Sequence, residues 1–300
     1  MSQRSIAMLV NPSSGSGRGA RNAPIAARRL RERGLRVTEL IGGSAEESAS
    51  LARVAVREGA DALVACGGDG TLNLALQAVA ETDTPLGILP VGTGDDNART
   101  LGVPLKDIIA AADVIADGKT RVVDCGHVST ADGIERYFLG IMSIGFDSEV
   151  NERANDMSWP HGQARYLIAT LAQLRVFQPL PFTMTIDGTP LKQQKAMLVA
   201  IGNGISYGGG MKVCPDANVS DGLLDMTVLA AVGKFEFVKA FPSVFKGTHT
   251  AHEYVTQHRF SEATIDAPNQ VVYADGERIG IVPATVRVKP GAVNVFAPTS

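Results

Sequence analysis

The sequence is 300 residues long, with 45% hydrophobic side chains and 28 basic against 31 acidic residues, a formal net charge of -3. A chain of this size can fill a sizeable core, and with neither sign gathered into a long run there is no bulk electrostatic case for nucleic acid. Cys66, Cys125 and Cys214 are widely spaced and make no CxxC pair, which argues against structural zinc and a disulfide framework and points to a reducing cytoplasm. Strand-like sequence begins almost at once, at Ile6, without a charged-then-apolar leader, and no run approaches the roughly eighteen apolar residues of a membrane span. Work on a lipid is therefore expected from the membrane surface, transiently.

In chain order, Ile6 to Val10 reads as a short buried strand. The glycine-rich Asn11-Pro12-Ser13-Ser14-Gly15-Ser16-Gly17-Arg18-Gly19 follows, and then a basic helix through Arg33. The pattern repeats with a strand at Arg36 to Leu40, a helix at Glu46 to Glu58 and a strand at Ala62 to Cys66. After Gly67-Gly68-Asp69-Gly70, Leu72, Ala75, Leu76 and Val79 fall at helical spacing. Leu86 to Leu89 reads as a strand and Pro104 to Ala116 as a helix. Residues 1–124 are thus expected to form a mostly parallel sheet covered by helices on both sides.

From about residue 125 to residue 300 the texture is strand-rich, and a β-sandwich is expected. Strands are read at Tyr137 to Ile144, Phe182 to Ile186, Met197 to Ile201, Leu223 to Leu229, Ala263 to Asp266, Val271 to Ala274 and Val286 to Phe296. Helices are expected at Gln163 to Val176 and at Lys234 to Lys246, the latter disrupted by Pro242.

Three glycine-rich segments lie at strand ends: Asn11 to Gly19, Gly67 to Thr71, and Gly92-Thr93-Gly94-Asp95-Asp96. In an open parallel sheet the carboxyl ends of the strands form the ligand edge, so all three are expected to meet in a nucleotide crevice. Glycine suits such a place because phosphate oxygens approach backbone N–H groups closely there. The first loop matches neither GxGxxG nor the P-loop pattern and lacks the P-loop lysine, so it reads as a nonstandard cradle or as a simple tight turn. A carboxylate at Asp69, among amides crowding phosphate, implies Mg²⁺ as intermediary, against the alternative of a turn aspartate. Thr71 is placed to cap the following helix. Of the adjacent carboxylates, Asp96 reads as the metal-side residue and Asp95 as a backbone or nucleotide contact. In the second half, Tyr273-Ala274-Asp275-Gly276-Glu277 reads first as a hairpin turn. Its two carboxylates are also spaced to serve as acceptor for a substrate hydroxyl proton and as a metal neighbour.

Together these segments resemble the diacylglycerol kinase catalytic family, bacterial lipid kinases and sphingosine kinases included. The resemblance rests on Asn11-Pro12 with its downstream glycines, Gly67-Gly68-Asp69-Gly70-Thr71-Leu72-Asn73, Gly92-Thr93-Gly94 and Asp275-Gly276-Glu277. It implies an N-terminal α/β domain related to phosphofructokinase-like and NAD kinase folds, a C-terminal β-sandwich and an ATP site between them. It implies further that Asn11, Thr71 and the glycines Gly67, Gly68, Gly70, Gly92 and Gly94, with Thr93, contact the nucleotide, and that Asp69 and Asp96 organise Mg²⁺. Asp275 is implied as general base and Glu277 as a neighbour of metal and nucleotide. A structural Mg²⁺ is implied at Asp221 and the Leu223 carbonyl, where Asn218 replaces an expected carboxylate. Asp95 is a second departure, standing where the family has asparagine.

The expected reaction is ATP-dependent phosphorylation of diacylglycerol to phosphatidic acid, with the lipid presented by a membrane surface. The expected location is the cytoplasm, peripheral at the inner membrane face. Alternatives are an NAD kinase, a sphingoid or other lipid kinase, and a non-enzymatic nucleotide- or lipid-binding protein. The oligomeric state is left open, a homodimer included. Trp159, Tyr166, Leu167, Ile168, Leu171, Leu174 and Phe177 are either an acyl cleft or ordinary core. His127, His249, His252 and His258 read as surface residues rather than zinc ligands.

Overall fold

A computed structural model describes residues 3–157, 159 and 163–298, without the side chains of residues 155, 163–167 and 171. Tyr166, Leu167 and Leu171 therefore lie outside the described side chains. The chain divides into two units, Met1–Cys125 with Pro290–Ser300, and Gly126–Lys289.

The first unit alternates strands and helices: β1 (Ser5–Val10), α1 (Ser14–Glu32), β2 (Arg36–Leu40), α2 (Ala45–Arg57), β3 (Ala62–Gly67), α3 (Asp69–Val79), β4 (Leu86–Pro90), α4 (Asp96–Thr100) and α5 (Ile108–Asp117). The four strands are parallel in the order β4-β3-β1-β2, with Ala7 opposite Leu63 and Ala65 opposite Ile88. Nearly every residue of β1, β3 and β4 is buried, as strands covered on both faces require, whereas β2 at the edge is mostly exposed. The helices pair as α1 with α5 and α2 with α3. Arg29 and Arg33 of α1 both grip Asp113 of α5, at 2.8 and 2.5 Å. Local chemistry sets the helix ends: Ser44 Oγ accepts from Glu47 N, and Asp107 Oδ1 accepts from Ile109 N and Ala110 N. The Asp107 cap starts α5 at Ile108 rather than at Pro104.

The second unit is built of antiparallel strands. It contains β5 (Thr120–Thr130, entered from the first unit), β6 (Glu135–Phe138), β7 (Ile141–Gly145), α6 (Phe146–Asp156), α7 (Gln163–Val176), β8 (Leu180–Ile186), β9 (Thr189–Pro190), β10 (Gln194–Gly202), β11 (Leu224–Ala230), α8 (Lys234–Lys246), β12 (Val255–Phe260), β13 (Glu262–Asp266), β14 (Val271–Ala274), β15 (Glu277–Ile281) and β16 (Ala284–Phe296). One sheet runs β15-β14-β7-β10-β11-β12 and the other carries β8, β13 and β16, with Phe138, Phe182, Phe260, Met226 and Ile201 in a core between the layers. A second cluster, Phe146, Phe177, Phe237, Met197 and Leu198, anchors α6, α7 and α8. The end of β16 returns to the first unit, where Val295 pairs with Leu86 of β4.

Three expectations need correction, and one helix has no counterpart among them. The strand expected from Tyr137 to Ile144 is broken at Leu139-Gly140, whose amides donate to a side chain rather than to a ladder. Pro242 does not interrupt α8: it and Val238, whose carbonyl loses its helical partner, both face solvent, so that carbonyl can be hydrated. His249 is buried, with Nε2 at 3.1 Å from the Val213 carbonyl. The polar stretch from Phe146 is a helix, α6, with Phe146, Val150 and Ala154 buried along one stripe.

Gly126 faces the fully buried Phe138 across β5 and β6, and a Cβ at this position would stand 2.1 Å from the ring. Because the ring is enclosed and cannot yield, Gly126→Ala is expected to destabilise the protein by about 1–3 kcal/mol, read as a lowered midpoint in urea unfolding.

Candidate functional site

Parallel strands β1, β3 and β4 are neighbours, so the turns that follow them emerge side by side. Backbone bonds fasten them together: Asn11 N donates to the Cys66 carbonyl at 3.1 Å and Val91 N to the Gly67 carbonyl at 3.0 Å. Side chains add to this. Gly68 N donates to Ser14 Oγ at 3.3 Å, and Arg18 Nη2 donates to the Gly92 carbonyl, linking the first turn to both others.

Contact between turns is backbone on backbone. A Cβ built on Gly92 would lie 2.6 Å from Gly68 Cα, and one on Gly67 would lie 2.2 Å from Thr71 Oγ1. No other residue type fits there, which is the physical content of the two glycine motifs. In the first turn Gly15, Ser16 and Gly17 have φ of 59, 57 and 85°, a left-handed run at the head of α1. The Asn11 carboxamide oxygen accepts from Ser13 N at 3.0 Å, holding the entry of that turn.

Asp69 opens α3, with Gly68 as N-cap and no side chain capping the helix. Thr71 is buried in the first turn, under Gly67, and is not the cap. The reason is that α3 begins three residues earlier than a threonine cap would require, with Gly68 as N-cap. The helix thus presents its first amides uncapped by side chains, the arrangement that suits phosphate oxygens. The Asp69 carboxylate receives Asn97 N and Nδ2 at 3.5 and 3.4 Å, so the second and third turns meet at this side chain. Asp96 is buried and paired with Arg99 at 2.6 Å, while Arg99 Nη2 also donates to the Gly94 carbonyl at 3.3 Å. Asp95, with φ 51°, turns its carboxylate back to accept Gly92 N at 3.0 Å. Burial pushes the Asp95 carboxyl up to about 6, against the lowering influence of the Gly92 amide and the charges of Arg18 and Arg99.

In the second unit, Asp275 and Gly276 form a left-handed two-residue hairpin turn between β14 and β15, with φ of 49 and 83°. The Asp275 carboxylate accepts from Leu139 N at 3.0 Å and Gly140 N at 2.9 Å. Buried Asn203 braces the same segment, donating from Nδ2 to the Leu139 carbonyl at 2.9 Å. Glu277 opens β15, and partial burial together with the neighbouring Asp275 charge raises its pKa. Asp221 and Leu223 lie apart from this turn, before β11. There Asp221 Oδ1 accepts Leu223 N at 3.1 Å and Oδ2 accepts from Arg259 Nη2. The Asn218 side chain is used within its own turn, accepting Ser220 N at 3.2 Å.

Among the described residues no three His, Cys, Asp or Glu side chains are gathered as a metal site. Mg²⁺ on a nucleotide takes one or two carboxylates and completes its shell with phosphate oxygens and water. Asp69, at the start of α3 and beside Asn97, fits as one such carboxylate. Sequence reasoning did not single out Ser14, Arg18, Asn97 or Asn203. Their importance lies in tertiary bonds to other turns, and no local pattern marks them.

The comparisons agree with this geometry. Residues 5–128 match the family model described as diacylglycerol kinase catalytic domain, and residues 140–297 match that of the YegS C-terminal NAD kinase beta sandwich-like domain. A Mycobacterium tuberculosis protein named diacylglycerol kinase is 43% identical over 293 residues, covering 98% of this chain and 95% of its own. A crystal structure from Bacillus anthracis superposes with a TM-score of 0.82 at 24% identity, over 99% of this chain and 95% of that one. The yeast NADH kinase shares the fold, at a TM-score of 0.56 and 13% identity over 99% of this chain and 84% of that one. The chain belongs to the diacylglycerol kinase family. It is an ATP-dependent lipid kinase, with an N-terminal α/β catalytic domain of NAD kinase-like fold and a C-terminal β-sandwich.

Replacing Asp95 by Asn keeps an oxygen for the Gly92 amide and removes a buried charge. The raised carboxyl stabilises the fold only while protonated, so that contribution is present at low pH and lost as pH rises through about 6. Asp95→Asn is therefore expected to be more stable than the parent at pH 7, by up to about 3 kcal/mol. The gap should close as pH falls from about 6 to 4, measured by thermal unfolding without divalent cation or nucleotide.

Proposed function

We propose that this protein transfers the γ-phosphoryl group of ATP to the free hydroxyl of diacylglycerol, giving phosphatidic acid, with the lipid presented at a membrane surface. The observation that carries the reading is the junction of three glycine turns around Asp69, at the carboxyl edge of β1, β3 and β4. The amides at the start of α3 and around Gly92 to Gly94 receive the nucleotide phosphates. Gly67, Gly68, Gly70 and Thr93 keep the approach open, and Asn11 and Thr71 hold the shape of the turns. Asp69 and Asp96 would hold Mg²⁺, which when bound supplies the charge that neutralises the phosphate oxygens. Glu277 is assigned beside metal and nucleotide.

Asp275 is assigned the acceptor role. Two amide donors and the Asn203 brace fix the orientation of its carboxylate, and orientation is what a loose phosphoryl transfer asks of the acceptor, because its hydroxyl gives up the proton late. For the structural ion, Asp221 and the Leu223 carbonyl remain the assigned ligands; Arg259 already supplies Asp221 with a counter-charge, so a weak site is expected. No helix among the described residues is long and apolar enough to cross a membrane.

The test is transfer of radiolabelled phosphate from ATP to a panel of diacylglycerol, monoacylglycerol, ceramide, sphingosine and NAD, with product identification. Diacylglycerol is expected as preferred acceptor; labelling of NAD in its place would overturn the reading. Asp69→Asn and Asp275→Asn are each expected to lower kcat by about 10²–10⁴-fold without lowering the melting temperature of the Asp69 variant. An Asp69 variant with full turnover at saturating Mg²⁺ would remove that residue from the site.

A further inference from the structure

Helix α8 carries a surface that the kinase chemistry does not use. Phe235, Val238 and Phe245 are exposed to 81, 50 and 48%, and with exposed Pro242 they recur at helical spacing along one face. Scattered single apolar residues are normal on a protein surface, but a phenylalanine-rich row along a helix is not. The opposite face is fixed in the core by Phe237, which meets Phe146 at 5.1 Å and Phe241 at 6.1 Å, and Phe241 meets Phe245 at the edge of the row at 6.0 Å. The outward row is thus held in place by the rings beneath it.

Charge along the apolar row is basic, while Glu236 and Glu253 lie to one side by Tyr254, near the helix start. Lys239 and Lys246 project among the exposed apolar residues and make no ion pair among the described residues. Lys234 at the first turn donates to the Arg175 carbonyl, which sets the exposed Val176 at the end of α7 beside the row. Exposed Lys212 adjoins the last turn through its N–H to the Val244 carbonyl, at 3.1 Å. The helix's acidic residue, Glu236, is turned back onto Gly233 N at 3.2 Å, at the helix start. Phenylalanines that can sink below the headgroups, interleaved with lysines that reach up to them, are what an interfacial helix on an anionic bilayer presents.

We propose that the exposed face of α8, with Val176, docks the protein on the surface of an anionic phospholipid bilayer. This rests on the lipid-kinase reading in one respect, that the acceptor resides in a bilayer. Docking would hold the enzyme where its acceptor is concentrated and leave the chemical step unchanged.

The experiment is flotation with vesicles of phosphatidylcholine mixed with phosphatidylglycerol, against vesicles of phosphatidylcholine alone. It is run on the parent, on Phe235→Ser with Phe245→Ser, and on Lys239→Gln with Lys246→Gln. The parent is expected to float with anionic vesicles. The phenylalanine pair should lose affinity by on the order of tenfold. The lysine pair should lose about fivefold per lysine, on anionic vesicles only. The lysine pair should melt at the parent's temperature, and all three proteins should phosphorylate a short-chain diacylglycerol, dissolved below its aggregation concentration, at the same rate. Parent-like flotation by both variants, or no flotation by the parent, overturns the proposal. So does a phenylalanine variant that changes from dimer to monomer in sedimentation while its vesicle affinity holds, since the face would then join copies of the chain. If the parent phosphorylates no diacylglycerol, the functional reading falls, and flotation still decides the docking surface.

Discussion

The site in the first unit depends on how closely two peptide backbones can approach. Gly68 and Gly92 nearly touch, and that contact brings the turn after β3 against the turn after β4. A methyl group on Gly92 would stand 2.6 Å from Gly68 Cα and 2.5 Å from Asp95 Oδ1, forcing the turns apart and disturbing the bond of the Gly92 amide to Asp95. The parallel sheet supplies the adjacency and the glycines supply the last ångström. Amide groups are then the main polar groups presented at the edge, with Arg18 and Arg99 spent on carbonyl oxygens and on Asp96.

Such an edge offers shape and dipole to an anion, with little fixed positive charge. It also gives the carboxylates their purpose. An aspartate among phosphate-binding amides is unfavourable unless a cation joins the two, which is why the proposed role of Asp69 includes a metal ion. Asp95 follows a different logic: it is buried, bonded to a backbone amide and close to neutral pH in its titration, and it serves the turn.

Much of this was legible beforehand. Alternating strands and helices up to Asp117 follow from periodicity and caps, and Gly67-Gly68-Asp69-Gly70 and Gly92-Thr93-Gly94 mark the edge because their spacing from the preceding strands is short. Asp275-Gly276 was readable as a hairpin, and it is one; that its carboxylate also clasps Leu139 and Gly140 depends on residues more than a hundred positions away. The same distance hid Ser14, Arg18 and Asn203, whose partners are backbone atoms of remote turns. α6 was missed because only Phe146, Val150 and Ala154 mark its buried stripe among polar residues. β12 was missed because three of its six residues, Gln257, His258 and Arg259, form a consecutive polar stretch. His249 looked like a surface residue because its polar neighbours in sequence say nothing of the Val213 carbonyl that receives it.

The return of β16 to the first unit makes that unit discontinuous. Val295 pairs with Leu86, Glu81 N donates to the Ala292 carbonyl at 2.8 Å, and Gly291 N donates to Asp124 at 2.7 Å, so three bonds that complete the α/β layer come from the tail of the chain. During synthesis on the ribosome, the nucleotide-binding half emerges first and stays unfinished until the whole sandwich has been made. The last bonds of the α/β layer therefore form only after the strands of the sandwich have been synthesised.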